Sequence, residues 1–269
     1  MMPELPEVET IVRSLQVNVG ARIKTIDIRR QDIIRLQQFP ADELNNRIIK
    51  DIKRRGKFFV FYLGCNHNLV FHLGMSGRFY MIRNYNEPSQ KHIHALIYLN
   101  NGNMLVYQDP RRFGGIWLIQ DLKLFFNNMG PEPLSNEFTV AYLQKVLEHR
   151  QAPVKNILLN QHLISGIGNI YADEALFAAG IRPDRPASSL DQSEIIKLHR
   201  FIRNILYQGI EYRGTTFRDY RDPFNQKGNF QKHLKVYGRQ NQPCLQCHQT
   251  IQQIRIGGRS THFCNNCQH

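Results

Sequence analysis

Near the end of the chain, four of its five cysteines read Cys244-x2-Cys247-x16-Cys264-x2-Cys267. Each close pair can place two thiolates on one knuckle, and the 16-residue excursion is long enough for a β-hairpin that returns the second pair. Four thiolates complete a closed tetrahedral zinc site, which leaves no coordination position for water and makes the metal structural. Metal-assisted hydrolysis is therefore not expected. Two disulfides are the alternative, and they need an oxidising compartment. The N terminus argues against export: Glu4, Glu7 and Glu9 stand among two prolines where a secretory signal would be basic and then apolar. The chain is expected to be soluble and cytoplasmic. Cys65 is left over in an apolar, strand-like run and is expected to be a buried small residue.

Charge points to the partner. The 269 residues carry 35 Lys+Arg against 22 Asp+Glu, a net +13, which favours a polyanion, with nucleic acid ahead of an acidic membrane surface. From Pro223 to His269 there is no Asp or Glu, while Lys227, Lys232, Lys235, Arg239, Arg255 and Arg259 add positive charge. A tetrathiolate zinc centre itself carries about −2, so these cations must outweigh it. Arg255 and Arg259 flank Gly257-Gly258 on the excursion, which would present arginine at a hairpin tip for phosphate contact. A generically basic, solvated tail is the plainer alternative. A membrane role fits less well, because the segment is rich in Gln, Asn and Gly without an amphipathic stripe, and the longest apolar run is Phe58–Leu63.

Periodicity divides the chain. Val8, Ile11, Val12 and Leu15 predict a helix over Glu7 to Val19. The period then changes to two: Ile23, Ile26 and Ile28, then Lys57–Leu63, Asn68–Leu73, His94–Leu99, Met104–Tyr107 and Gly115–Ile119 read as short strands, with a hairpin turn at Asn100–Asn103. Several short strands in about 100 residues suggest a sandwich or barrel. Gly130-Pro131-Glu132-Pro133 breaks the pattern, and helical spacing returns over Thr139–His149, Val154–Asn160, Gly168–Ala179 and Gln192–Glu211. A polar loop, Tyr212–Asn229, precedes the cysteine module. The expected fold is α+β, with a helix and β domain over 1–130, a helical domain over 131–232 and a zinc hairpin over 233–269.

The motifs in this frame resemble a known family. Pro3-Glu4-Leu5-Pro6-Glu7-Val8-Glu9-Thr10 opens the chain, followed by Arg55-Gly56-Lys57, His72-Leu73-Gly74-Met75-Ser76-Gly77 and Asp109-Pro110-Arg111-Arg112-Phe113-Gly114. Gly166-Ile167-Gly168-Asn169-Ile170-Tyr171, Val236-Tyr237-Gly238-Arg239 and the cysteine motif complete a series that is similar, over nearly the whole chain, to the formamidopyrimidine-DNA glycosylases. The resemblance implies an antiparallel β-sandwich behind an N-terminal helix, a helix–two-turn–helix domain and a zinc β-hairpin, with damaged double-stranded DNA in the cleft between. It implies one structural zinc ion, a monomer, and excision of 8-oxoguanine and formamidopyrimidines followed by β,δ-elimination of the strand.

By the same resemblance Pro3 is the nucleophile. An α-amino group titrates near pH 8, so unlike lysine it is substantially unprotonated at neutral pH. A secondary amine attacking sugar C1′ gives an iminium ion, an electron sink that acidifies the 2′ hydrogen and lets the 3′ phosphate leave. The chain begins Met1-Met2-Pro3, so Pro3 has a free nitrogen only when translation starts at Met2 and that methionine is removed. Glu4 maps to the acid/base carboxylate and Glu7 to a supporting one. Without the resemblance, Pro and Glu here read as an ordinary helix start.

Flipping a nucleotide leaves a gap in the stack that must be filled. Met75, Arg111 and Phe113 map to the void-filling trio: a flexible apolar filler, a guanidinium that can pair with the orphaned cytosine, and an aromatic wedge. Lys57, Asn169 and Arg259 map to the phosphate clamp, with Gly168-Asn169 opening a helix whose N–H groups suit an anion. His72, Arg112 and Tyr237 are auxiliaries, though His72 also reads as a satisfied core histidine. Lys155 maps to a lysine near the lesion end of the cleft, and Arg218 to the loop that covers the extruded base. Two other readings stay open: an endonuclease VIII-like glycosylase for oxidised pyrimidines, and a non-catalytic lesion- or DNA-binding zinc protein should Pro3 stay blocked.

Overall fold

The computed structural model describes residues 2–83, 91–216 and 222–269. The chain forms two compact units: Met1–Asn127 with Tyr212–Asn229, and Asn128–Glu211 with Phe230–His269.

The first unit opens with α1 (Leu5–Leu15), which begins two residues earlier than its apolar spacing suggests because Glu4 and Glu7 form a reciprocal capping box at its start. Strands β1 (Ile23–Ile28), β2 (Ile34–Gln37), β3 (Asp51–Arg55), β4 (Phe58–Tyr62), β5 (Asn68–His72), β6 (Arg78–Arg83), β7 (Ile93–Leu99), β8 (Asn103–Gln108) and β9 (Gly115–Ile119) follow, then the one-turn helix α2 (Leu122–Phe125). They form a four-stranded sheet, β1-β7-β8-β6, and a five-stranded sheet, β2-β9-β5-β4-β3. All pairs are antiparallel except β2 with β9, so the expected antiparallel sandwich carries one parallel edge. Strands β2 and β3 escape the periodicity because Arg, Lys, Asp and Gln interrupt their apolar residues, and β6 because only Phe79 of its apolar residues is fully buried.

Alternation sorts the faces. Phe59 and Phe61 of β4 point inward with Phe71 of β5 and Phe79 of β6, joined by Val8, Ile11, Val12 and Leu15 of α1. Phe59 stacks on Phe71 with ring centroids 5.1 Å apart, and Phe71 meets Phe79 edge-on at 4.8 Å. On the outer face, Val60, Val70 and Ile119 are covered by Phe125 and Phe126, so the five-stranded sheet is apolar on both sides. Cys65 is a correction to the sequence reading: β4 ends at Tyr62, and Cys65 lies exposed in a turn where Gly64, Cys65 and Asn66 all have positive φ.

The second unit contains α3 (Val140–Leu147), α4 (Val154–Leu159), α5 (Asn169–Ala179), α6 (Gln192–Glu211) and the hairpin β10 (Gln252–Ile256) with β11 (Arg259–Phe263). Its helix α5 is buried from Ile170 to Phe177 on every side, Asp173 and Glu174 included. Between α4 and α5 the chain makes its two turns around Gln161, whose side chain donates to the Leu159 and Ile167 carbonyls and accepts the Gly166 N–H. The Gly130-Pro131 segment is held within this unit: the Gly130 N–H donates to the Gln161 carbonyl and the Ser165 N–H to the Pro131 carbonyl. Tyr212–Asn229, assigned to the helical domain from sequence, groups with the first unit, where Thr215 N–H donates to Glu7 Oε1 at 2.6 Å and Met81 N–H to Pro223 at 3.1 Å. Among the described residues no helix is long and apolar enough to cross a membrane.

Because Phe71 meets the rings of Phe59, Phe61, Phe79 and Tyr107 at 0 % exposure, Phe71→Ala should cost about 3–5 kcal/mol of unfolding free energy in urea titration.

Candidate active site and nucleic-acid interface

The first unit holds a carboxylate pair at the start of α1. Pro3 is buried and precedes Glu4, 3 % exposed, and Glu7, fully buried. Glu7 Oε2 accepts the Glu4 N–H at 2.9 Å, while Oε1 takes Thr215 N–H. One side chain thus fixes both the helix start and the segment leading toward residues 217–221. Arg54 of β3 ties the helix to the sheet through Glu9, Nε to Oε2 at 3.0 Å.

Lys57 and His72 are brought together by strand register. Gly56-Lys57 is the two-residue turn between β3 and β4, and the pair Phe58↔His72 aligns β4 with β5. Lys57 is 6 % exposed. The His72 imidazole is pushed down to about 4, first by burial and then by the Lys57 ammonium, with Asp109 pulling weakly the other way. It is therefore neutral at pH 7, and its Nδ1 accepts the Gly74 N–H at 3.1 Å.

Two loops leave the sheets beside this pair. Met75 is 39 % exposed and Phe113 57 %, large values for apolar side chains, and the Arg111 guanidinium sits 5.2 Å from the Phe113 ring centroid. Gly74 lets the loops touch: at φ +57°, a Cβ there would lie 2.5 Å from the Gly114 nitrogen. Asp109, fully buried, accepts the Gly114 N–H at 2.9 Å, and its carbonyl accepts the Arg112 N–H at 3.2 Å. From outside, Arg35 donates to the carbonyls of Arg112 and Gly114, and the Arg112 guanidinium pairs with Asp32 at 2.6 Å.

The second unit carries a cationic edge on the hairpin. Gly257 and Gly258 both have positive φ, the conformation a two-residue turn between right-twisted strands demands, and Arg259 follows exposed at the start of β11. Asn169, the first residue of α5, donates from Nδ2 to the Ser260 carbonyl at 2.9 Å, so Arg259 and the α5 N terminus are neighbours. Beneath them Lys155, fully buried, pairs with Asp173 at 2.6 Å and donates to Ser260 O and Thr261 Oγ1 at 3.0 and 2.8 Å. Asp173 also accepts the His262 N–H at 2.9 Å. Glu174 accepts the N–H groups of Lys235, Val236 and Tyr237 at 2.8–2.9 Å, and burial pushes its carboxyl up from the ordinary value. The Tyr237 ring meets His262 edge-on at 5.1 Å.

The sulfur atoms of Cys244, Cys247, Cys264 and Cys267 all lie within 4.8 Å of one another, with Cys244–Cys267 at 3.9 Å and Cys247–Cys264 at 3.4 Å. A tetrahedron with Zn–S near 2.3 Å has edges of about 3.8 Å, so the four thiols fit one zinc ion. The Gln249 N–H pulls the Cys247 thiol down to about 7, while burial pushes Cys264 and Cys267 up; a bound dication would deprotonate them all.

Models of three domains match this chain: the formamidopyrimidine-DNA glycosylase N-terminal domain over residues 2–116, the H2TH domain of the same glycosylases over 129–221, and a zinc finger found in FPG and IleRS over 241–269. The formamidopyrimidine-DNA glycosylase of Syntrophomonas wolfei is 54 % identical over 99 % of this chain and 100 % of its own length. That of Rickettsia africae is 41 % identical over the full length of both. The solved MutM (FPG) protein of Thermus thermophilus superposes with a TM-score of 0.89 at 38 % identity, covering 99 % of this chain and 98 % of its own. A Lactococcus lactis Fpg in complex with abasic-site DNA gives 0.90 at 34 %, covering 99 % of each.

The chain belongs to the formamidopyrimidine-DNA glycosylase family. It is a base excision repair DNA glycosylase, in a family whose members also have AP lyase activity, and its zinc finger holds one zinc ion.

Of the residues that the family resemblance singled out, the first unit brings Lys57 to His72, and Met75 to Arg111, Arg112 and Phe113. The second brings Asn169 to the strand that Arg259 begins. Lys155 is the correction: with its ammonium saturated at 0 % exposure, it braces the zinc hairpin from beneath rather than facing a ligand. Arg218 lies outside the described residues. Sequence reasoning missed Asp109, Asp173 and Glu174 as anchors. A signal existed for the last two, since paired carboxylates inside the apolar run Ile170–Phe177 demand buried partners.

Two measurements follow from this geometry. As pH falls, the unfolded chain takes up the His72 proton near 6.5, before the folded one does near 4. Stability present above about pH 6.5 should thus be lost toward pH 4, by up to about 3 kcal/mol, and His72→Phe should flatten that limb in urea titrations. Stripping zinc with a chelator, or Cys264→Ser, should abolish hydrogen-exchange protection in β10 and β11 and the affinity for DNA, while the Phe71 core keeps its protection.

Proposed function

We propose that the chain excises 8-oxoguanine and formamidopyrimidines from double-stranded DNA through a Schiff base on Pro3, then cleaves the strand by β,δ-elimination. The observation that carries this reading is the buried Glu4 directly after Pro3, with its backbone N–H held by Glu7. Among the solved relatives are Fpg of Lactococcus lactis bound to Fapy-dG-containing DNA and MutM in complex with carbocyclic 8-oxo-G containing DNA, which support the substrate class.

In this mechanism the Pro3 nitrogen, freed by removal of the preceding methionine, attacks C1′. The glycosidic bond breaks and the base leaves as Glu4 supplies a proton toward the opening sugar. The resulting iminium withdraws electrons, the 2′ hydrogen is removed, and the 3′ phosphate departs with the bonding pair. A second elimination releases the 5′ phosphate. Lys57, Asn169 and Arg259 hold the phosphates around the flipped nucleotide, while His72, Arg112 and Tyr237 assist. Met75 and Phe113 fill the vacated stack and Arg111 pairs with the orphaned base. Arg218 takes, by the family resemblance, a role toward the extruded base. Lys155 acts through the hairpin that carries Arg259. The enzyme works as a monomer on one lesion, within the cytoplasm.

Borohydride trapping on an 8-oxoguanine:cytosine duplex tests the proposal, since reduction converts an iminium into a stable covalent adduct. The expected result is a trapped complex that disappears in Pro3→Gly and is strongly reduced in Glu4→Gln. DNA binding without trapping, with Pro3 shown free by mass measurement of the mature N terminus, would overturn it. Competition with an oxidised-pyrimidine duplex separates the endonuclease VIII-like preference.

A further inference from the structure

The loops that carry Met75 and Arg111 are joined by a single hydroxyl. Ser76, next to Met75, donates from Oγ to Asp109 Oδ1 at 2.5 Å, and the same oxygen accepts the backbone N–H of Arg111 at 3.2 Å. A serine hydroxyl has one proton and two lone pairs, so it can do both at once. Its acceptor is anchored: Asp109 is fully buried, its other oxygen accepts the Gly114 N–H, and its carbonyl meets His94 Nε2 at 2.8 Å and the Arg112 N–H. The hydroxyl proton therefore points into the loop base and leaves a lone pair for Arg111. The Gly74 backbone meanwhile lies against Phe113 and Gly114 too closely for any side chain.

We infer that Ser76 is a positioning residue for selection of the base opposite the lesion. It fixes the backbone origin of the Arg111 side chain relative to Met75, so that the filler and the guanidinium enter the duplex as one piece. A long side chain with several rotatable bonds discriminates between hydrogen-bonding partners only if its starting point is held. With Arg111 N–H released, the guanidinium would reach a wrong base nearly as well as cytosine. Asp109 supports this through Ser76, and its burial makes it a poor test site by itself, because replacing it also strips Gly114. The inference rests on the proposal above that Arg111 meets the orphaned base.

The test compares single-turnover excision of 8-oxoguanine opposite cytosine and opposite adenine. Ser76→Ala should lower the cytosine-to-adenine rate ratio about tenfold, the size expected for a lost hydrogen bond in a charge-anchored chain. Cleavage of a preformed abasic site in single-stranded DNA, which has no opposite base, should keep its rate. Ser76→Thr, which retains the hydroxyl, should restore the ratio. Arg111→Ala separates the two claims. A wild-type ratio in Arg111→Ala would overturn the orphan-base reading and this inference with it. A lowered ratio in Arg111→Ala with an unchanged one in Ser76→Ala would overturn the inference alone. An equal rate loss on all three substrates, with a lowered melting temperature, would make Ser76 merely structural and overturn it too.

Discussion

Among the described residues, four of the segments around the candidate site are tied back by a buried carboxylate. A cationic loop cannot be held by burying its own tip, because the charge must stay in reach of solvent or ligand. The hold has to come from beneath, and backbone N–H groups are the handles available there. Asp109 at 0 % exposure collects the loop of Arg111 and Phe113; Glu7 collects the start of α1 and Thr215; Glu174 collects residues 235–237; Asp173 collects His262 and Lys155. Each carboxylate is satisfied by donors whose loss would leave a bare buried charge, which is why these anchors specify one geometry.

The zinc module depends on this arrangement more than on its own core. Its buried cluster is small: Val236, Cys244, Ile251 and Cys264, completed by Phe177 from α5. So little apolar surface cannot offset the entropy of ordering the segment, and the metal supplies the difference. The hairpin is then oriented from α4 and α5, through Lys155 to Ser260 and Thr261 and through Asn169 to Ser260. A lysine that reads from the sequence as a ligand contact is thus consumed in aiming an exposed arginine. The ε-ammonium has three donors, and Asp173, Ser260 and Thr261 use them.

The net charge of +13 is likewise unevenly committed. Arg54, Arg182 and Arg185 face nearby carboxylates and brace the fold. Arg111 and Arg259 are exposed at loop and hairpin tips, where a phosphate or base edge can reach them. Arg112 stands between the two roles, exposed but paired with Asp32, a surface contact weak enough to exchange for a phosphate.

The sequence by itself determined the metal site, the helical stretches and the central strands. Thiol spacing and hydrophobic period are local properties, and a run such as Phe58–Leu63 or Ile170–Phe177 has few other places to go. It also carried the motifs, Gly74-Met75-Ser76-Gly77 among them, whose resemblance to the family marked the candidate site residues. Only the tertiary structure decided what those residues face. Burial, with Lys57 set beside it by strand register, keeps the His72 imidazole neutral; close packing of two loops coupled Ser76 to Arg111; and the fold turned Lys155 inward while leaving Cys65 exposed. The edge strands β2 and β6 became strands by pairing with β9 and β8, which lie further along the chain, while β3 pairs with its hairpin neighbour β4. Pairing, burial and desolvation depend on neighbours that sequence distance does not encode, so the chain names its chemical groups while the fold sets their protonation, direction and company.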